Sequence, residues 1–342
     1  MVFVVSGWRA SAAGLAALGL SAGPSAAQNP VEAFYKGKTL TLASGFSAGG
    51  EYDLHGRLVA RFIGKHIPGK PGVVPTQMTG AGTITLANYM TAVAPKDGTY
   101  LGVISNGLPA SQAIGTAGLK FDARQFHWLG ALGPTIETQA IWHTVGVTSL
   151  EDARKKEVAV GATGKGSATY IMPTLMNEVF GTKFKIITGY RGGSDVNVAM
   201  ERGEVGSRNN SWTSWKSTKP HWLAEKKIHI IAWAGPETKE LAHLPHLSKI
   251  AKDDADRQVV EVVFSGSYLG RPILTTPGVP AERVKALRDA FDATMKDPEF
   301  IAAATQAKVE LTPIRGVDMQ KVVERVMATP APLVARAKAI ME

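Results

Sequence analysis

Gly45-Phe46-Ser47-Ala48-Gly49-Gly50-Glu51-Tyr52-Asp53 is the stretch whose reading decides the fold. Ahead of it, Lys38-Thr39-Leu40-Thr41-Leu42-Ala43-Ser44 is a short apolar and β-branched run that predicts a strand. Behind it, Leu54, Leu58, Val59, Phe62 and Ile63 recur on one face of a predicted helix. Glycines let the backbone turn tightly and let a ligand approach it closely. A helix begins with unpaired N–H groups at the positive end of its dipole. Strand, glycine turn and helix start therefore make a cradle for an anion. An ordinary βα turn that binds nothing has the same local pattern.

The first residues read as an address. Arg9 supplies a positive start, residues 12–20 an apolar core, and Ser25-Ala26-Ala27 a small-residue cleavage site, the pattern of a secretory signal peptide cut before Gln28. Its apolar core is shorter than the roughly 20 residues that a membrane span needs. The expectation is a soluble protein exported to the periplasm, with residues 1–27 removed and about 315 remaining. That length suggests about two domains. With 44% hydrophobic and 20% charged residues, a sizeable core can form. The chain has no cysteine, which excludes thiol catalysis and thiolate metal sites. The net charge is +9, one less once Arg9 leaves with the leader, and the basic residues are scattered without a run of five. Such scatter does not support nucleic-acid binding; it suits a basic surface, or a field that draws in small anions.

Along the chain, strand and helix patterns alternate. Strands are expected near 73–78, 99–105 and 126–133, with a helix over 83–93 and turns at Thr79-Gly80-Ala81-Gly82 and Ala94-Pro95-Lys96-Asp97-Gly98. A second set follows. Strands are expected at 139–144, 158–163, 184–188, 205–210 and 228–234, and helices over 168–180 and up to Glu201. Thr148-Ser149-Leu150-Glu151 looks like a capping box opening another short helix. Residues 259–265 are expected to lead the chain back across to the first sheet, before helices over 281–295, 298–307, 317–327 and beyond Pro330. The order predicts an α/β protein of two lobes with mostly parallel sheets, joined by crossing strands, with a cleft between them.

Several motifs offer chemistry. Gly45-Phe46-Ser47-Ala48-Gly49 matches the G-x-S-x-G elbow of serine hydrolases, which makes a secreted hydrolase using Ser47 the alternative function. In that fold several strands precede the elbow, whereas only about 20 mature residues precede Ser47 here. Gly161-Ala162-Thr163-Gly164-Lys165-Gly166-Ser167 is too short for a phosphate loop, but it is another glycine-rich helix start able to donate to an anion. His243-Leu244-Pro245-His246 is the one close histidine pair, and its proline argues for a surface loop rather than a helical metal pair. Gly189-Tyr190-Arg191-Gly192-Gly193-Ser194-Asp195 is a third glycine turn; Tyr190 suits a cleft wall and Arg191 either a ligand contact or a solvated charge. Arg208-Asn209-Asn210-Ser211-Trp212 is dense in donors, and Arg208 suits either a carboxylate ligand or an ion pair with Glu204 or another acid. Trp212 and Trp215 suit core packing better than ligand stacking.

In order along the mature chain, Phe46-Ser47-Ala48-Gly49-Gly50 with Asp53, Thr79-Gly80-Ala81-Gly82, Ala94-Pro95-Lys96-Asp97-Gly98-Thr99, Tyr190-Arg191-Gly192-Gly193, Gly203-Glu204-Val205 and Thr275 with Pro277-Gly278-Val279-Pro280 resemble the solute-binding proteins of tripartite tricarboxylate transporters, the Bug-type receptors. The resemblance implies a type II periplasmic binding-protein fold, with lobe 1 formed by residues 28–134 and 262–342 and lobe 2 by 135–261. It implies closure on a small organic carboxylate, held largely by backbone N–H groups and water, and delivery to membrane permease subunits by a monomer. A signalling role is the variant that sequence does not separate from uptake. Carried over, Ser47, Ala48, Gly49, Thr79, Ala81 and Asn106 face the ligand from the first lobe, and Gly164, Gly166, Ser167, Tyr190 and Asn210 from the second. Phe46, Gly50, Asp53, Arg191 and Arg208 complete the expected set. No catalytic residue, metal or cofactor is expected. Where the family usually has proline this chain has Ser47, and where it usually has an acid near positions 209–210 this chain has two asparagines. The expected cleft is thus less acidic and richer in donors.

Overall fold

Thr39–Ser44 forms the first strand, β1, and the glycine turn after it opens the helix Glu51–Ile63, as the opening stretch predicts. The computed structural model describes residues 1–4, 7 and 30–341, so nearly all of the expected leader, with its cleavage site, lies outside the described residues. The strands that follow are β2 (Gly72–Gln77), β3 (Tyr100–Val103), β4 (His127–Ala131), β5 (Glu137–Trp142), β6 (Val158–Gly161), β7 (Phe184–Ile187), β8 (Ser207–Ser211), β9 (Ile228–Ala234), β10 (Ile273–Thr275) and β11 (Ile314–Arg315). They build two sheets, a six-stranded one in the order β11-β4-β10-β3-β1-β2 and a five-stranded one in the order β7-β6-β8-β5-β9.

The parallel character lies in β2-β1-β3 of the first sheet and β7-β6-β8 of the second. The strands next to the crossovers, β10 and β5, run antiparallel to their neighbours, so each sheet is mixed. Period-two alternation feeds a core on each face of the first sheet. Leu101, Val103, Leu129 and Ile273 join one cluster with Ile63 and Phe291, while Tyr100, Trp128 and Leu274 join another with Met90 and Met319. The second sheet does the same: Ile141 packs with Met172 and Leu175 on one side, Ala140 and Trp142 with Met200 and Trp215 on the other.

Two expectations differ from the structure. Residues 259–265 do not carry the return crossing: Asp254–Val263 is a helix capped by the Asp253 side chain, and β10 re-enters the first sheet instead. The buried Asp256, Val259, Val260 and Val263 follow helical spacing, and burial of that face overrides the strand preference of the valines. The last helix, Ala331–Met341, belongs by sequence to the first lobe but lies against Ala168–Phe180 and Asp254–Val263, with Leu333 and Ala337 in the second lobe's core. The short helix Leu150–Lys155 does open with a capping box, one residue later than read from the sequence, between Ser149 and Asp152. No helix of the described residues is long and apolar enough to cross a membrane.

Candidate functional site

The loops after β1, β2 and β3 in the first sheet meet the loops after β6 and β7 in the second, at the carboxyl ends of the parallel strands. That end of an open α/β sheet is where ligands bind. The two sets are in contact. The Ser47 N–H donates to the Arg191 carbonyl at 3.2 Å, the Ser194 hydroxyl donates to the Ala48 carbonyl at 2.7 Å, and the Ser47 and Ser194 hydroxyls lie 3.1 Å apart. A Cβ at Gly82 would stand 3.0 Å from the Gly164 carbonyl oxygen and from the Ser167 nitrogen. Gly49, at φ +83°, makes the turn that brings the first loop to this seam.

Behind the seam lies a narrow cavity, lined from the first lobe by Phe46, Gly50, Glu51, Tyr52 and Ser105, and from the crossovers by Glu137 and Arg271. The second lobe adds Thr163, Ser167, Ala168, Thr169, Gly193, Asn197, Arg208, Asn209, Asn210, Ser211, Ser214 and Thr218. Three helices begin here, at Glu51, Ala168 and Gly193, so their free N–H ends face one space.

Glu51 ties the lobes together. Its carboxylate accepts hydrogen bonds from Ser211 Oγ at 2.6 Å and Thr213 Oγ1 at 2.7 Å, and pairs with Arg271 Nη2 at 2.5 Å. Burial alone would raise its pKa, but Arg271, His55 and the two hydroxyls together hold it below the usual carboxylate value. His55 Nε2 stands 3.6 Å away, and burial pushes its pKa down to about 4, so the ring is neutral near pH 7. Tyr52 is pushed up to about 12 by burial; its hydroxyl donates to Asn106 Oδ1 at 3.0 Å, and its ring lies 5.0 Å from the Arg271 guanidinium.

Arg208 is anchored on its own lobe by Nη1 and Nε. Its Nη1 donates to the Gly193 carbonyl at 2.5 Å and to Asn197 Oδ1 at 2.7 Å, its Nε donates to the Asn209 carbonyl at 3.0 Å, and it lies over the Trp215 ring. Burial pushes its pKa down to about 9, still charged near neutrality. The alternative of an ion pair with Glu204 or another acid is not made among the described residues; Glu204 is paired with Arg202. Around the cavity, Arg271 Nε and Nη1 and Asn210 Nδ2 are buried without a hydrogen-bond partner. The Glu137 carboxylate, only 4% exposed, makes no hydrogen bond or ion pair among the described residues, though its charge acts on Arg208, whose Nη2 likewise has no hydrogen-bond partner there. The expectation of a less acidic cleft is thus corrected: Glu51 and Glu137 stand in it, opposite two arginines.

Of the residues expected from sequence, Phe46, Gly50, Ser167, Arg208 and Asn210 line the cavity. Ser47, Ala48, Gly49, Ala81 and Gly164 lie instead along the seam between the lobes. Gly166 packs against Ile84 and Leu108 of the first lobe. Asp53 holds its loop from behind, accepting from the Gly49 N–H at 3.2 Å and from Gln77 Nε2 at 2.8 Å while pairing with Arg57. Asn106 bridges Tyr52 and Thr135, Tyr190 lies beside Gly161 and Glu204, and Thr79 is outside the lining. Arg191 has a side chain 74% exposed and paired with Asp195, a solvated charge. Trp215 is core, as expected. His246 holds a loop, bonded to the Gly235 carbonyl and Ser248 and set edge-on against Trp233; no cluster among the described residues has the makings of a metal site.

Sequence reasoning missed Glu51, Tyr52, Glu137 and Arg271. Glu51 was in plain view, following Gly49-Gly50 at a helix start; Glu137 and Arg271 carry no local signal. The hydrolase alternative lacks its base: Ser47 Oγ meets Ser194 and, at 3.5 Å, Asp195, with no histidine bonded to it among the described residues.

No protein-family model and no curated protein matches the chain. Among solved structures, the periplasmic binding protein BugD superposes with a TM-score of 0.71 at 17% identity, covering 90% of this chain and 98% of that one. A Rhodopseudomonas palustris protein with adipate gives a TM-score of 0.67 at 20% identity, over 88% of this chain and 97% of that one. MatC from the same organism, with bound malate, gives 0.67 at 18% identity, over 89% and 99%. The chain therefore has the two-lobed α/β fold of these periplasmic binding proteins.

Proposed function

We propose that this chain is a periplasmic receptor that captures a small organic carboxylate by hinge closure and delivers it to the membrane permease subunits of a tripartite transporter. The single observation that carries the reading is the cavity at the lobe junction, where three helix starts converge and Arg271 and Asn210 keep unpartnered donors. Such donors are costly to bury unless a ligand accepts from them. Closure then gives affinity, because a ligand that touches both lobes favours the closed state by its differential contacts. The adipate and malate in the structural neighbours support a carboxylate as the class. The leader over residues 1–27, the monomeric state and the division into residues 28–134 with 262–342 and 135–261, amended by the docking of Ala331–Met341 on the second lobe, are parts of the same proposal.

The test is thermal. A carboxylate that binds the folded state alone, at about 100 times its Kd, stabilises by about 2.7 kcal/mol. A rise of several degrees in Tm is the expected result. A broad panel of carboxylates and amino acids giving neither a Tm shift nor calorimetric heat overturns the reading.

A further inference from the structure

The cavity's charges narrow the class of ligand, granted the receptor reading above. Its lining carries Arg208 and Arg271 against Glu51 and Glu137, a formal balance of zero. His55 adds no charge. Glu51 is consumed by Ser211, Thr213 and one arm of Arg271, while Arg208 gives its Nη1 and Nε to Gly193, Asn197 and Asn209 and keeps Nη2 without a hydrogen-bond partner. The lining's unpartnered donors are Arg271 Nε and Nη1, Asn210 Nδ2 and Arg208 Nη2, and its one carboxylate without a hydrogen bond or ion pair is that of Glu137. Arg271, Asn210 and Glu137 are each more than nine-tenths buried, at 3%, 7% and 4% exposed.

A dicarboxylate suits only half of this. One of its ends meets Arg271 and Asn210; the other brings a second negative charge into a space already holding Glu137 and Glu51. An uncompensated buried charge costs several kcal/mol. We infer that the ligand is a zwitterion, a carboxylate that also carries a primary or secondary ammonium group, with Arg271 and Asn210 receiving its carboxylate and Glu137 its ammonium. Such a ligand leaves the cavity's net charge unchanged, gives Arg271 and Asn210 an acceptor and gives Glu137 a donor. Discrimination comes from Glu137, which rejects a second carboxylate by repulsion as well as attracting the ammonium.

The test compares length-matched pairs by calorimetry at pH 7.5: 4-aminobutanoate with succinate, 5-aminopentanoate with glutarate and 6-aminohexanoate with adipate, together with the standard α-amino acids. An amino acid is expected to bind about 100-fold tighter than any of the dicarboxylates. Glu137→Gln is expected to weaken that amino acid at least about tenfold and to narrow the gap to its dicarboxylate. A dicarboxylate that binds as tightly as the best amino acid overturns the inference in the wild-type protein alone, whether or not the variant folds, and leaves the receptor reading standing. So does an unchanged preference in a Glu137→Gln protein that melts like the wild type. Silence from both series overturns the receptor reading and this inference with it.

Discussion

Glu51 and His55 sit one helical turn apart on the same buried face, and their protonation sets how the cleft responds to acid. The unfolded His55 ring takes a proton near its usual 6.5, the folded ring only near 4. Between those values the unfolded state binds the extra proton, so stability must fall as pH falls through that window. The two and a half pH units correspond to about 3 kcal/mol. Glu51 acts in the same direction at lower pH: its depressed value adds stability above the ordinary 4.5 that is lost as pH falls through the folded value. His55→Leu is therefore expected to flatten urea-denaturation stability between about pH 4 and 6.5. A variant whose pH slope matches the wild type sinks this account. The same scale shows why Arg191 and Arg208, alike in sequence, part company. Arg191 follows a turn that points outward, while Arg208 stands on a strand buried at every position.

The helix Glu51–Ile63 begins without a side-chain cap at Gly50. Asp53, in its first turn, takes over part of that work by accepting from the Gly49 N–H, and its charge suits the positive end of the helix dipole. Asp53→Ala removes those bonds and frees Gln77 and Arg57, with an expected loss of about 1–2 kcal/mol. Measured by urea denaturation, a midpoint equal to the wild type would count against this role. Elements with strong periodicity were readable to the residue, as in Ala168–Phe180 and Ile228–Ala234. Asp254–Val263 was not, because a valine-rich run satisfies strand propensity while its spacing satisfies a helix, and packing decides between them. Strand β5 hides its function for a related reason: Glu137, Thr138 and Gln139 look like solvent-facing polar residues, yet all are buried between neighbouring strands and the cleft.

On the receptor reading, closure of the two lobes depends on backbone meeting backbone at the seam. Gly164, at φ +156°, would place a Cβ 2.7 Å from the Ala81 carbonyl carbon and the Gly82 nitrogen. Neither is the end of a flexible side chain, so Gly164→Ala should hold the lobes apart. The expected outcome is a ligand affinity weakened about tenfold or more and a radius of gyration by small-angle scattering that stays at its ligand-free value when ligand is added. Gly189→Ala controls for backbone strain: its φ is also positive, at +109°, but open space surrounds it. If both variants close alike on ligand, the seam does not govern closure.

Read by itself, the sequence determined the α/β alternation, the two sets of strands and the three glycine turns at helix starts. Each of these is written in residues a few positions apart, where periodicity, capping and backbone freedom act. It also marked Arg208 and Asn210 as cleft residues, but left open what Arg208 holds. Only the tertiary structure decided that Glu51, Glu137 and Arg271 share one buried space, since they come from a helix start and two separate crossovers. Their meeting is set by how the two sheets dock, and the balance of charge in that space exists only once that docking has excluded water.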